Sequence, residues 1–325
     1  MYLLIGLAMA VTAALTVALA SSICLTFAWP LLKLAGRRMT SGGEARFWFA
    51  AAVAPATAGL AAASLIATPS YFIHEQKGTG EVISPLLAGV LTIGLLLLMA
   101  SLTSGAFAII RGARLTEALR ACTDRCQVAG CEAYVLPGTS GTFAVVGLLR
   151  PTMFVSSAVL RELNETELRG VVLHEQAHVA SRHNAFSTLL KMAGYLSCNP
   201  VFAWLARRQW VEAIELEADQ AAIAAPSDAL DLCSALIKIT RLDPCEPRAA
   251  GAGCTFAPFR SGSRLKRRIE YLRWAAEGKH VSPRTGLRWL RPAGAFVMLA
   301  ATTTLVWCAP TLLLRTHEML EALMR

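Results

Sequence analysis

Charged residues are scarce in this chain. They make up 16% of its 325 residues, against a hydrophobic share of 55%, whereas soluble domains carry roughly a quarter. With a mean hydropathy of +0.49, the composition points to a membrane rather than to an ordinary soluble enzyme. Paired cysteines are also missing. Nine cysteines are scattered without a Cys-x-x-Cys pair, so no disulfide framework is expected and the thiols read as reduced packing residues. Cys122, Cys126 and Cys131 form a cluster, but their spacing fits no zinc pattern. No basic stripe with interleaved aromatics occurs despite a formal net charge of +9. Direct nucleic-acid binding is therefore not expected, and the basic clusters beside apolar runs read as topology signals and anionic-lipid contacts.

What the sequence does contain is long uncharged runs. Residues 2–32 carry no charge, enough to span a bilayer of about 30 Å with tilt or a break at Pro30. Ala18-Leu19-Ala20 has the form of a signal-peptidase site. The N-terminus has no basic region, however, and the run continues past it, so a retained helix is expected. Further spans are predicted over 47–67, 86–110 and 292–314. Lys33, Arg37, Arg38 and Arg46 follow the first span, and the positive-inside rule puts that loop in the cytoplasm. Residues 111–291 then form a cytosolic domain between the third and fourth spans, and 315–325 a short tail outside.

Within that domain, Arg111 to Arg125 reads as a helix continuing the third span. The short runs 132–137, 142–148 and 152–156, punctuated by Gly and Pro, predict a small antiparallel sheet. Asn164-Glu165-Thr166-Glu167 has the form of a capping box that opens a helix with Leu168, Val171, Val172 and Val179 on its buried side. The apolar run 186–196 is too short to span and predicts a buried or membrane-surface helix. Helices are expected from about 200 to 225 and over 229–241, and a basic amphipathic helix over 264–277.

The central helix carries His174-Glu175-Gln176-Ala177-His178. On an α-helix, positions i and i+4 lie about 40° apart around the axis, so two imidazoles can converge on one metal ion. A glutamate between them can act as the base for a water that the metal acidifies. The pattern alone is also compatible with a solvated helix face. His183 lies about 180° around the helix from His174 and is a poor third ligand, which leaves a carboxylate. Glu212, Glu215, Glu217 and Asp219 are available downstream. Glu215 and Asp219 are spaced i,i+4, so one can bind metal while the other orients a ligand histidine. Glu217 points elsewhere, and Glu212 remains a competitor.

Taken together, His174-Glu175-x-x-His178, Asn199-Pro200-Val201-Phe202-Ala203-Trp204 and Glu215-x-x-Ala218-Asp219 resemble the integral-membrane zinc peptidases of the BlaR/MecR antirepressor type. HtpX-like and CAAX-prenyl endopeptidases are more distant. Gly147-x-x-x-Pro151, Met153 to Ser156 and Leu163 to Leu168 resemble the segments that precede the motif in these families. Arg268-Ile269-Glu270-Tyr271-Leu272 is similar to their closing helix.

The resemblance implies a zincin-like α+β peptidase domain on a mainly helical, four-span membrane protein, with one Zn2+ held by His174, His178 and Glu215. It further implies Glu175 as general base and Asp219 as partner of a ligand histidine. Substrate is expected to lie as an added strand beside about Ala144 to Leu149. Arg208 is a candidate for stabilising the oxyanion, with packing and lipid contact as equal alternatives. The expected partners are a protein or peptide substrate, a transcriptional repressor among the candidates, and the lipid bilayer; homo-oligomerisation is left open. The expected location is the bacterial inner membrane, with the protease domain cytosolic. Two departures stand out. Only eleven residues follow the fourth span, so the penicillin-binding sensor domain of the best-known members, and with it beta-lactam sensing, is not expected. Gln176 replaces the usual apolar residue, a change that position tolerates because it is not a ligand.

Overall fold

The computed structural model describes residues 2–74, 84–138, 141–148, 150–224, 226–242 and 262–278, with Arg315 and Glu318. The predicted fourth span lies outside them. The first apolar run forms α1 (Tyr2–Phe27), breaks before Pro30, and resumes as α2 (Trp29–Gly36). In lipid every polar group must find a partner inside the protein. The hydroxyls of Thr12 and Thr26 accordingly bond the carbonyls of Ala8 and Ser22 one turn back, at 2.8 and 2.7 Å.

Thr40 caps the next helix, α3 (Ser41–Ala62), which runs through a π turn at Ala63–Ala67 into α4 (Thr68–His74). A Cβ at Gly59 would strike the Ala14 carbonyl, so glycine there lets α1 and α3 approach backbone to backbone. The third run forms α5 (Pro85–Ala121), a single helix that carries the apolar span on into the polar domain. Among the described residues, three helical stretches, Tyr2–Phe27, Gly42–His74 and Pro85–Ala121, are long and apolar enough to cross a membrane.

The sheet differs from expectation. It has four strands, β1 (Asp124–Val128), β2 (Cys131–Leu136), β3 (Phe143–Val146) and β4 (Thr152–Ser156), in the order β1-β2-β4-β3. β1–β2 and β3–β4 are antiparallel, but β2–β4 is parallel, so the sheet is mixed. The physical reason lies in β4, all five residues of which are buried. It therefore takes a central position and displaces β3 to the edge. β1 was hidden because its sequence, Asp-Arg-Cys-Gln-Val, alternates with two exposed charged residues at its start and looks like the end of the preceding helix.

The chain continues through α6 (Ser157–Glu162), α7 (Glu165–Ala180), α8 (His183–Leu196), α9 (Pro200–Ala222), α10 (Pro226–Leu242) and α11 (Gly262–Ala276). Two cores hold these elements. One joins Phe143, Val145, Met153 and Val155 of the sheet to Val171 and Val172 of α7, Leu232, Leu236 and Ile239 of α10, and Leu272 of α11. The other joins Trp48 and Ala52 of α3 to Leu190 of α8 and to Phe202, Ala206, Trp210 and Ile214 of α9. Helix α8, expected to be buried or at the membrane surface, packs against α5 and α3 with Ser187 and Leu190 buried, while Phe186, Leu189 and Tyr195 are exposed. Val179, expected on the buried side of α7, is instead exposed at 37%, because α7 ends one residue later and its last turn has left the core.

Candidate metal centre

Helix α7 begins where its sequence says it should. Asn164 Oδ1 accepts the Glu167 backbone N–H at 2.8 Å, and Glu167 Oε2 accepts the Asn164 N–H at 2.9 Å, closing the capping box. Glu167 also accepts from Ser234 Oγ at 2.6 Å and Lys238 Nζ at 2.8 Å. One carboxylate thus fixes both the start of α7 and its register against α10.

Three turns on, His174 and His178 are buried at 1% and 5% exposure. Their Nε2 atoms face each other at 3.1 Å. Two imidazole nitrogens at that distance repel unless a proton or a cation lies between them. Glu215 joins them from α9, with Oε2 3.6 Å from His174 Nε2 and Oε1 3.7 Å from His178 Nε2. One ligand atom from each of the three lies within 4.8 Å of the others. Glu215 Oε1 is buried with no hydrogen-bond partner, a cost that a bound cation would remove. These residues fit a metal ion by donor type, convergence and unused valence.

The far sides of both rings are held. His174 Nδ1 is 2.9 Å from Asp219 Oδ1, and a carboxylate can only accept, so Nδ1 carries a proton and Nε2 is the nitrogen turned toward the position a metal would take. His178 Nδ1 is 2.7 Å from Nδ1 of His183, whose Nε2 lies 3.8 Å from Glu217. His183 stands outside the group of three converging donor atoms. It nevertheless orients one, because Arg182, in the left-handed region at φ 51°, turns the chain back at the end of α7. Glu217 forms the outer end of this relay.

Arg268 of α11 completes the cluster. Its Nε and Nη2 donate to Asp219 at 2.8 and 2.6 Å, and Nη1 donates to Glu215 Oε2 at 2.9 Å. The sequence placed Arg268 only within a closing helix. A signal was present: Leu265, Arg268 and Leu272 share one helical stripe, and a cation on an apolar stripe is a buried cation. Arg208 lies elsewhere, 3.4 Å from Glu212 and over the Trp204 ring at 5.8 Å. Glu212, the competing carboxylate, is held by Arg208 and, at 3.5 Å, by Arg267.

The electrostatics follow from burial and from Arg268. Desolvation opposes the charge on Glu215 and Asp219, but the guanidinium and His174 outweigh it and hold both at about 2. Burial and Arg268 push His174 down, whereas its bonds to Asp219 and Glu215 outweigh them and raise it to about 9. Desolvation is the main cause that lowers His178 to about 3. Burial, aided by the charge of Glu215, lifts Glu175 to about 7, against the opposing His174 and Arg268 charges and the Val145 backbone N–H that its carboxylate accepts. That last bond sets the edge strand β3 directly beside the candidate base.

Residues 60–272 match the model of the BlaR1 peptidase M56 family. The chain belongs to the M56 peptidase family. The matched segment runs from the end of α3 to Leu272 and includes every residue of the cluster. No curated protein and no solved structure matches the chain. Membership makes a peptidase the expected activity and gives the cluster of two histidines and a glutamate a meaning that geometry alone would not.

Proposed function

We propose that this M56 peptidase family member is a zinc-dependent endopeptidase of the bacterial inner membrane, with its catalytic domain on the cytosolic side. The convergence of His174 Nε2, His178 Nε2 and the Glu215 carboxylate, with Glu175 on the same helix turn, carries this reading. His174, His178 and Glu215 would hold the ion, which when bound supplies the Lewis acidity that lets water attack a peptide carbonyl at neutral pH.

The chain's own residues do the rest. Asp219 fixes the tautomer of His174, and His183 holds the ring of His178 in place. Arg268 keeps Glu215 and Asp219 ionised and in place. Glu175, lifted toward neutrality by burial, is suited to take a proton from the attacking water and return it to the leaving amine.

Substrate backbone would add to the free edge of β3, which pairs only with β4 among the described residues. A cavity of about 280 Å³ runs along that edge between Ala144 to Leu148 and helices α5 and α8, and offers mostly apolar space for a side chain. Arg208 is not assigned the oxyanion role, because its contacts among the described residues are with Glu212 and the Trp204 ring. The substrate we favour is a cytosolic regulator such as a transcriptional repressor, cleaved in response to a signal.

The test is cleavage of casein, or of the chain itself, by the purified full chain and by Glu175→Gln, with bound zinc measured in both. Zinc in both with cleavage lost in the variant supports the enzyme. Zinc in both with cleavage by neither favours a non-catalytic signalling scaffold, a reading that the intact set of His174, Glu175, His178 and Glu215 argues against.

A further inference from the structure

A second polar site lies away from the metal centre, at the polar end of the membrane helices. It is a cavity of about 270 Å³, to which α2 contributes Trp29 from its start and Lys33 from its last turn, Arg37 is added just past the end of α2, α9 contributes Arg208 and Glu212, and α3 and α11 contribute Glu44 and Arg267. Four cations thus face two carboxylates. Both carboxylates are already engaged. Glu44 accepts from Arg267 with both oxygens at 3.0 Å, and Glu212 is shared between Arg208 and Arg267 at 3.4 and 3.5 Å. Lys33 and Arg37 have neither an ion pair nor a side-chain hydrogen bond among the described residues, although Lys33 is half-buried. The cavity therefore keeps a surplus of positive charge whose natural complement is an anion.

The surroundings say which anion. Lys33 and Arg37 follow directly on the first membrane-length helix, and Trp29, an indole at the polar end of that helix, is the side chain type favoured at the headgroup level of a bilayer. We infer that this cavity binds the phosphate of an anionic membrane lipid, with Lys33, Arg37 and Arg208 donating to the phosphate oxygens and Trp29 lying at the level of the glycerol backbone. Arginine and lysine both recognise phosphate through charge-assisted hydrogen bonds, and anionic lipids favour such clusters next to membrane helices. This goes beyond unspecific attraction of basic loops to a membrane, because the site gathers residues far apart in sequence around one cavity.

The same two helices reach the metal centre. Glu212 precedes Glu215 by one turn of α9, and Arg267 precedes Arg268 on α11. A phosphate in the cavity would offset repulsion among the cations and favour the apposition of α9 and α11 that carries Arg268 to Glu215 and Asp219.

The experiment measures lipid binding, so its outcome does not depend on the peptidase reading. The full chain in zwitterionic detergent is titrated with phosphatidylglycerol, with phosphatidylcholine and with soluble glycerol phosphate, and bound molecules are counted by native mass spectrometry. Phosphatidylglycerol should bind as one retained molecule per chain, well ahead of the other two. Lys33→Gln/Arg37→Gln should bind it about tenfold or more weakly, the loss expected for charge-assisted contacts. Arg38→Gln/Arg114→Gln, which removes equal charge from exposed positions outside the cavity, should bind as the parent does.

Lys33→Gln alone, at a side chain without a described partner, should already weaken binding and serves if the double variant does not fold. Equal binding of phosphatidylglycerol and phosphatidylcholine would overturn the site. So would parent-like binding by the Lys33 variants, or equal loss in the control pair. Equal affinity for glycerol phosphate would overturn the lipid assignment in favour of a soluble phosphate ester.

Discussion

The two helices that furnish the metal donors are anchored in different halves of the molecule. Helix α7, with His174, Glu175 and His178, sits in a core built from the sheet, α10 and α11. Helix α9, with Glu215 and Asp219, has its first half in a core shared with the second membrane-length helix α3, where Trp48, Phe202 and Trp210 are almost fully buried. The candidate metal centre is thus a joint between a soluble-type core and a membrane-type core. Helix α9 packs against both α3 and α7, so a shift of α3 has a physical path through α9 to Glu215.

The largest expected effect breaks the α7 side without touching its fold. Glu175→Gln should lower kcat by about 10²–10⁴, the usual share of a general base, while zinc content stays at the parent value. Steady-state peptide cleavage with parallel metal analysis checks this. Next comes the pair of cores themselves. Phe202→Ala on the α9 side should cost about 3–5 kcal/mol and Leu236→Ala on the α10 side about 2–5 kcal/mol. Only the former should loosen Glu215 against its histidines, so metal affinity measured at temperatures where both variants are folded should fall more in Phe202→Ala.

A smaller effect sharpens the comparison inside the site. His183→Ala removes the partner of His178 and should weaken metal affinity about 10–100-fold. Glu217→Gln, at the outer end of the same relay, should lose less; isothermal titration of the metal-stripped protein reads both.

The smallest effect belongs to the anchor of α7. Burial raises the Glu167 carboxyl, but its bonds to Lys238, Ser234 and the Asn164 N–H outweigh that and leave it below its ordinary value. A folded pKa below the unfolded one means that the stabilisation is present above the unfolded value of about 4.3 and is lost as pH falls through the folded value. The metal-stripped parent should lose this contribution below about pH 4. Glu167→Gln should be less stable by about 1 kcal/mol at neutral pH and show a flatter acid limb, as urea unfolding at several pH values can test.

Much of this was legible in the sequence, and what was not has physical reasons. The apolar runs, the capping box at Asn164 and the i,i+4 spacings of His174/His178 and Glu215/Asp219 are local, and local geometry follows from residue order. The parallel pairing of β2 with β4 is a tertiary outcome, decided by which strand could be buried throughout. The contact of His183 with His178 depends on the left-handed Arg182, an unusual conformation for an arginine that no propensity signals. Arg268 was the larger omission. A basic helix reads as solvated unless the one arginine on its apolar stripe is noticed. Arg208 looked well placed only because it shares a helix with Glu215.

The central claim is that α7 and α9 jointly hold one metal ion. It is tested most directly by zinc analysis of the purified full chain beside Glu215→Gln and Glu212→Gln, each checked for parent-like helical content. One zinc per chain should be found in the parent and in Glu212→Gln, and little or none in Glu215→Gln. Zinc retained in Glu215→Gln and lost in Glu212→Gln would contradict the account.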